Sequence, residues 1–325
     1  MRTAEGRDEA AIIRPQYETG STVTDIQTFD THMHGQPGIT ASYLVTGTKT
    51  ALIETGPKSG VEHVLTGLEA LGIDTLDWIL VTHIHLDHAG AAGTLARRFP
   101  SAKIGVHEIG APHLVDPSKL WSSAGRIYGD RMEQLWGGID PIAEDRIHVV
   151  SDDEVIDLGG VSVRAVETPG HAYHHHAYLL DDGSVFTGDA LGVRLADVGV
   201  IRPATPPPEF HLEKAIASIE RIRALGATTL MPTHFGPHTE GVDPKSVDEL
   251  CTEAIDALNR WAEWVRAART STTDLDDVAE LVKQMAMSAL EGRVSDEARA
   301  RMENTTSYWM NTWSYMRYLD KNEPA

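Results

Sequence analysis

Thr82-His83-Ile84-His85-Leu86-Asp87-His88-Ala89-Gly90 is the stretch from which the rest of the chain can be read. It places three imidazoles and a carboxylate within residues 83–88, directly after the apolar run Trp78-Ile79-Leu80-Val81. An apolar run of that length reads as a buried strand, so the polar cluster sits where a strand gives way to a loop. In extended or loop backbone, side chains two apart project to the same side, and His83 and His85 can therefore share one cation. Asp87 and His88 lie one loop turn further on and can face a second. A lone histidine is ordinarily a polar group with a hydrogen-bond partner, and His63, His107, His113, His148 and His238 are read that way. Four ligand-type side chains so close together have no comparable structural explanation.

Working outward, strands alternate with helices. The runs Ser42–Val45 and Thr50–Ile53 flank the turn-like Thr46–Lys49 as a β-hairpin would, and Gly56-Pro57 ends its second strand. Val61, Val64, Leu65, Leu68 and Leu71 recur at helical spacing, and a helix at about 90–99, a strand at 103–107 and a helix near 108–115 follow. That alternation predicts an α/β fold. Residues 116–145, with Trp121, Tyr128, Met132 and Trp136 among polar neighbours, read as a helical insert, either a lid or ordinary helix core. From Ile147 to Phe186 the pattern changes to short strands, with Val161–Val166 in alternation, and predicts a second sheet. Arg202–Pro208 holds four prolines and must be an extended loop. A helix at 211–225 and a strand at 228–231 complete this part.

Three more ligand-type residues end strands in the same manner: His171 after Thr168-Pro169-Gly170, Asp189 after Phe186-Thr187-Gly188, and His234 after Met231-Pro232-Thr233. Cys251 is the one cysteine, so no disulfide within the chain and no thiolate-built site can form. A set of imidazoles and carboxylates suits zinc, with iron or manganese as alternatives. Lys and Arg total 28 against 48 Asp and Glu, a net charge of −20, which argues against nucleic acid as a partner. No apolar run reaches the roughly 20 residues of a membrane span, and the N-terminus lacks the apolar stretch of a signal peptide. A soluble cytoplasmic protein acting on a small molecule, with no nucleic-acid or membrane partner, is the expectation. Residues 1–24 read as a flexible arm, 25–240 as the metal-bearing domain, and 241–325 as a helical appendage. Tyr308, Trp309, Trp313, Tyr315 and Tyr318 near its end need cover from the main domain, from a partner subunit as in a homo-oligomer, or from both.

The sequence HIHLDH, then TPGH, then FTGD, then a late THFG resembles the metallo-β-lactamase superfamily in order and spacing over about residues 40–240. The resemblance implies a four-layer αββα sandwich with a dinuclear metal site at one edge of its two sheets. It also implies His83, His85 and His171 on one ion, Asp87, His88 and His234 on the other, and Asp189 between them. The segments DPSKLW at 116–121 and RPATPPP at 202–208 further resemble a poorly characterised bacterial and archaeal branch. Relatives that are true β-lactamases commonly carry a cysteine ligand, flavodiiron proteins a carboxylate at the place of His85, and acyl-homoserine lactonases a tyrosine where this chain has Gly192. Tyr173 or Tyr128 could stand in for that tyrosine. The basic residues with which glyoxalase II binds glutathione are not identifiable in the acidic C-terminal region. Glu54 replaces the usual aspartate before Thr55-Gly56.

Of the run His174-His175-His176, His175 matches an outer hydrogen-bonding histidine of many relatives, and at least two of the three are expected in a solvent-facing polar turn. His32 and His34 could mimic a metal pair, but no apolar strand leads into them. The reaction implied is hydrolysis of a small ester, thioester or lactone by a hydroxide bridging two divalent ions, with Asp87 orienting it and moving its proton. Three readings compete: a phosphoesterase, a mononuclear iron enzyme like the persulfide dioxygenases, and a protein holding metal only for stability.

Overall fold

In a computed structural model that describes residues 24–323, eleven strands form two sheets. The first contains β1 (Asp25–Asp30), β2 (Ala41–Thr46), β3 (Thr50–Ile53), β4 (Trp78–Leu80), β5 (Lys103–His107) and β6 (Ile147–Val150), in that spatial order. The second contains β7 (Val155–Asp157), β8 (Ser162–Glu167), β9 (His176–Leu180), β10 (Ser184–Gly188) and β11 (Thr229–Pro232), running β11-β10-β9-β8-β7. Around them lie α1 (Val61–Ala70), α2 (Leu86–Ala89), α3 (Ala92–Arg98), α4 (Ala111–Val115), α5 (Ser118–Tyr128), α6 (Met132–Trp136), α7 (Leu212–Ala224), α8 (Val247–Arg269), α9 (Leu275–Ala289), α10 (Asp296–Thr305) and α11 (Tyr308–Asn322). The expected arm at 1–24 lies outside the described residues except for Thr24.

Strand alternation builds the layers. In β2 and β3, Tyr43, Val45, Ala51 and Ile53 point between the sheets, where they meet Val163, Ala165, Tyr178 and Phe186 of the second sheet. Leu44 and Leu52 point the other way, onto Val64 and Leu68 of α1 and Leu95 of α3. The second sheet does the same, with Val185 and Leu230 facing outward onto Ile219 and Ile222 of α7 and, beyond them, Trp261 and Tyr315 of the C-terminal helices. Buried tyrosines tie the sheets together in both directions. Tyr43 donates its hydroxyl to the Pro232 carbonyl at 2.5 Å, and Tyr178 donates to the Val81 carbonyl at 3.0 Å. The result is the αββα sandwich, with a C-terminal helical region laid over its outer helix. No helix among the described residues is long and apolar enough to cross a membrane.

β3, β4, β5 and β6 are mutually parallel, as are β10 and β11. Parallel strands bring their C-terminal ends to one edge, the usual place for a site in such sheets. Glu54, Thr82–His88, Asp189 and His234 all follow such ends.

Four details differ from the sequence expectation. Ile147–Val150 joins the first sheet beside β5, because apolar alternation reports a half-buried strand and not which sheet it enters. A strand does lead into His32 and His34: β1, DIQTFD, is an edge strand with only Thr28 and Phe29 buried, so its apolar signal is weak. Asp87 and His88 stand on the short helix α2 and not in a loop. His174, His175 and His176 are all buried.

Candidate metal centre

All seven residues singled out in the sequence converge at this edge. His83 Nε2 lies 2.8 Å from His85 Nδ1 and 3.1 Å from His171 Nε2, and His171 Nε2 is 2.9 Å from His85 Nδ1. Beside this triangle, His234 Nε2 faces Asp87 at 3.5 Å, and His88 Nε2 faces the same carboxylate at 3.7 Å. Asp189 stands between the two groups. Its Oδ1 is 3.2 Å from His88 Nε2 and 3.4 Å from His234 Nε2, while Oδ2 turns to His171 at 3.5 Å.

The outward-facing ring atoms decide which nitrogen points in. His171 Nδ1 contacts the Ala204 carbonyl at 2.8 Å and His234 Nδ1 the Ile39 carbonyl at 2.9 Å. A carbonyl only accepts, so both rings carry their proton on Nδ1 and turn a lone pair inward when neutral. His88 Nδ1 is held likewise by Glu54 Oε2, whose other oxygen accepts from the Thr82 amide at 2.7 Å. Glu54 is fully buried with φ +65°, and it joins the end of β3 to the end of β4 and to His88. His175 has the outer role its position suggested: its Nε2 accepts from the Asp189 amide at 3.1 Å and its Nδ1 meets Thr168 Oγ1 at 2.7 Å. Gly188 makes this approach feasible, since a Cβ there would stand 2.5 Å from His175 Nε2 and 2.6 Å from Thr82 Oγ1, at φ +51°.

These donors fit metal ions. His88 Nε2 and Asp189 Oδ1 are buried without a hydrogen-bond partner among the described residues, which is costly unless something else satisfies them. Three imidazole nitrogens 2.8–3.1 Å apart are close to the roughly 3.3 Å between neighbouring nitrogens set about 2.0–2.1 Å from a tetrahedral zinc. Electrostatics divides the site in the same way. Burial and then neighbouring imidazoles hold His83 and His85 well below the usual histidine range, so they stay neutral. Burial pulls His234 and His88 down, but the neighbouring carboxylates, Asp189 foremost with Asp87 and, for His88, Glu54, together outweigh it, so His234 is pushed up to about 9 and His88 well above its ordinary value. Half of the site is thus neutral and half calls for positive charge, which a cation can supply in place of protons.

A further triplet, His107, Glu167 and His176, also gathers donor atoms. There the Ile109 amide donates to His107 Nδ1 at 3.1 Å, which leaves the proton on the nitrogen 3.4 Å from Glu167. His107 thus turns an N–H and not a lone pair toward Glu167, which does not suit a ligand set. His32 stacks on His63 with ring centroids 4.0 Å apart and joins no ligand group. His34 lines the cavity over the centre, a role no sequence signal announced. That cavity, of about 520 Å³, is also lined by Tyr128, Trp136 and Trp313, whereas Trp121 and Trp309 are not on its wall.

Comparison with known proteins agrees with this geometry. The sequence profile of the metallo-β-lactamase superfamily matches residues 35–234. A metallo-β-lactamase fold-containing protein of Sulfurisphaera tokodaii is 34% identical over 222 residues, covering 66% of this chain and 77% of the relative. A solved archaeal structure of this superfamily, from Sulfolobus tokodaii, superposes with a TM-score of 0.57 at 30% identity over 68% of this chain and 80% of that one. An atrochrysone carboxyl ACP thioesterase of Aspergillus fumigatus is 28% identical over 66% of the chain, and a hydroxyacylglutathione hydrolase of Acidiphilium cryptum 32% identical over 51%. The chain spans 55% and 53% of the lengths of those two relatives. On the fold, the convergent histidines and aspartates, and these matches together, the chain belongs to the metallo-β-lactamase superfamily.

Proposed function

We propose that this protein is a dinuclear metal-dependent hydrolase that cleaves a small ester, thioester or lactone. The observation that carries this reading is Asp189, whose two oxygens are divided between the His83–His85–His171 group and the Asp87–His88–His234 group. In the proposal the first group would hold one ion, the second group the other, and Asp189 would serve either; zinc suits the donors best. Ions held there would supply the acidification of a bound water toward neutrality and the polarisation of a scissile carbonyl. The similarity to a thioesterase and to a hydroxyacylglutathione hydrolase supports this reaction class.

The side chains do the rest. His88 and His234 outweigh the desolvation of Asp87 and hold it well below the usual carboxylate range, so it is an acceptor at neutral pH. It lines the cavity, where it can orient a water and take its proton, then release that proton to the leaving group. Burial pushes the Tyr128 hydroxyl above its ordinary range. It therefore stays a neutral phenol, a hydrogen-bond donor for a substrate oxygen. Tyr173, the other candidate for this place, is 41% exposed and is not on the cavity wall.

Elemental analysis of the purified protein, combined with a panel of lactone, thioester and phosphoester substrates, tests the proposal. Two ions per chain are expected, and Asp189→Ala should bind fewer than two and lose hydrolysis. One iron per chain with oxygen uptake would overturn the hydrolase reading, and full occupancy in Asp189→Ala would overturn the shared role of Asp189.

A further inference from the structure

The cavity wall carries three cations in a strongly negative molecule. Lys119, Ser123 and Arg126 line it from α5 at spacings of four and three residues, one stripe of a helix. Met310, Trp313 and Arg317 line it from α11 at spacings of three and four, another such stripe. Lys119, Arg126 and Arg317 have no carboxylate oxygen within 4.0 Å among the described residues. The Arg317 Nε is buried without a hydrogen-bond partner. The acids on the wall are, by contrast, engaged: Asp87 and Asp189 in the metal centre, and Glu209 with the Tyr173 amide at 3.1 Å and His174 at 3.4 Å. In a chain with a net charge of −20, three cations on one cavity without partners call for an anion. Ile84, Ile109, Leu120, Ile127 and Met310 give the same wall an apolar part.

We infer that these residues form an anion-binding rim, and that the substrate is an amphiphilic acyl ester or thioester with an apolar chain and an anionic tail. The assignment of a reacting carbonyl rests on the hydrolase reading above; the anion site does not. The apolar chain lies against the aliphatic wall, the carbonyl reaches the metal centre, and the anionic tail pairs with Lys119, Arg126 and Arg317. Exposed charge pairs are individually weak, and three acting together on one anion in a cavity with low-dielectric walls give selectivity.

Two thioethers that resist hydrolysis test the site: 2-(octylthio)ethanesulfonate, and neutral 2-(octylthio)ethanol as the control for an intact cavity. Calorimetry on the metal-loaded protein should show the sulfonate bound at least about tenfold more tightly than the alcohol, and the gap should shrink as salt rises from about 50 to 500 mM. In a Lys119→Gln, Arg126→Gln, Arg317→Gln variant the preference should fall to about twofold or less. Should that variant fail to fold, Lys119→Gln and Arg317→Gln singly should each lower the preference by about threefold. Equal binding of the two probes by the native protein overturns the proposal. A preference that survives the substitutions also overturns it, because the sulfonate would then be held elsewhere. Turnover of octanoyl thioesters is followed in parallel, so a protein that binds the sulfonate selectively but hydrolyses nothing sinks the hydrolase reading and leaves the anion site standing.

Discussion

Glu54 occupies a backbone conformation that costs a non-glycine residue about 1–3 kcal/mol, at φ +65°. Its two oxygens repay that cost by receiving the Thr82 amide and the His88 ring. Glu54→Gln replaces one acceptor by a donor facing a donor, so His88 loses the partner that fixes its inward nitrogen. We expect affinity for the ion beside His88 to fall about 10–100-fold, read by competition with a chromophoric chelator; an unchanged affinity would show that Glu54 only holds the strands. Gly188→Ala places a methyl group against His175 and Thr82 at positive φ. Its cost should be about 1–3 kcal/mol in a denaturant titration, with displacement of Asp189. A variant as stable as the parent would contradict the crowding described.

At the scale of elements, the proline-rich loop at 202–208 acts on the site by way of its backbone, since the Ala204 carbonyl orients His171. The loop is in turn held from α11: buried Asn311 donates to the Pro203 carbonyl at 2.7 Å and accepts from the Thr205 hydroxyl at 3.0 Å and its amide at 3.2 Å. Asn311→Ala leaves these groups unpaired, at about 1–3 kcal/mol. In a timed chelator challenge the ion on His83, His85 and His171 should leave faster than in the parent, while simultaneous, unaltered release would argue against this linkage. Such contacts mark the limit of what the sequence discloses. The strand-end positions of His83, Asp189 and His234 were legible because apolar runs lead straight into them, and alternation disclosed the α/β class and a second sheet, while the sandwich was implied by the family resemblance. The Asn311 clamp was not, because it joins residues 106 and 108 positions apart through polar groups with no periodicity. Edge strand β1 was hidden for a related reason, half-exposure diluting its apolar signal, and the buried His174–His176 run looked polar because burial there is set by both sheets.

For the whole molecule, the C-terminal helices are continuous with the core. Leu250, Trp261, Val265 and Tyr315 share one apolar cluster with Ile219, Ile222 and Leu230, and Trp261 stacks on Tyr308 at 5.6 Å. Burial at about 25 cal/mol per Å² makes removal of this layer a large loss. A chain ending near residue 240 should therefore aggregate, because it uncovers the apolar face of α7. Size-exclusion chromatography that finds a soluble monomer with its ions in place would show the sandwich to be self-sufficient.

Donation of the centre by both sheets has a consequence for how its occupant is chosen. During synthesis, the cluster at 83–88 emerges well before His171, Asp189 and His234, and offers three imidazoles and a carboxylate to any passing cation. A half-built site of that kind holds an ion loosely and exchangeably. Enclosure comes only when the two sheets dock and the tyrosine bonds across them close. First-row metals differ in affinity in a fixed order whatever the protein needs, so availability at that moment would weigh with affinity in choosing the ion that is enclosed. The metal supply at the time of folding would then bear on which ion the finished protein holds.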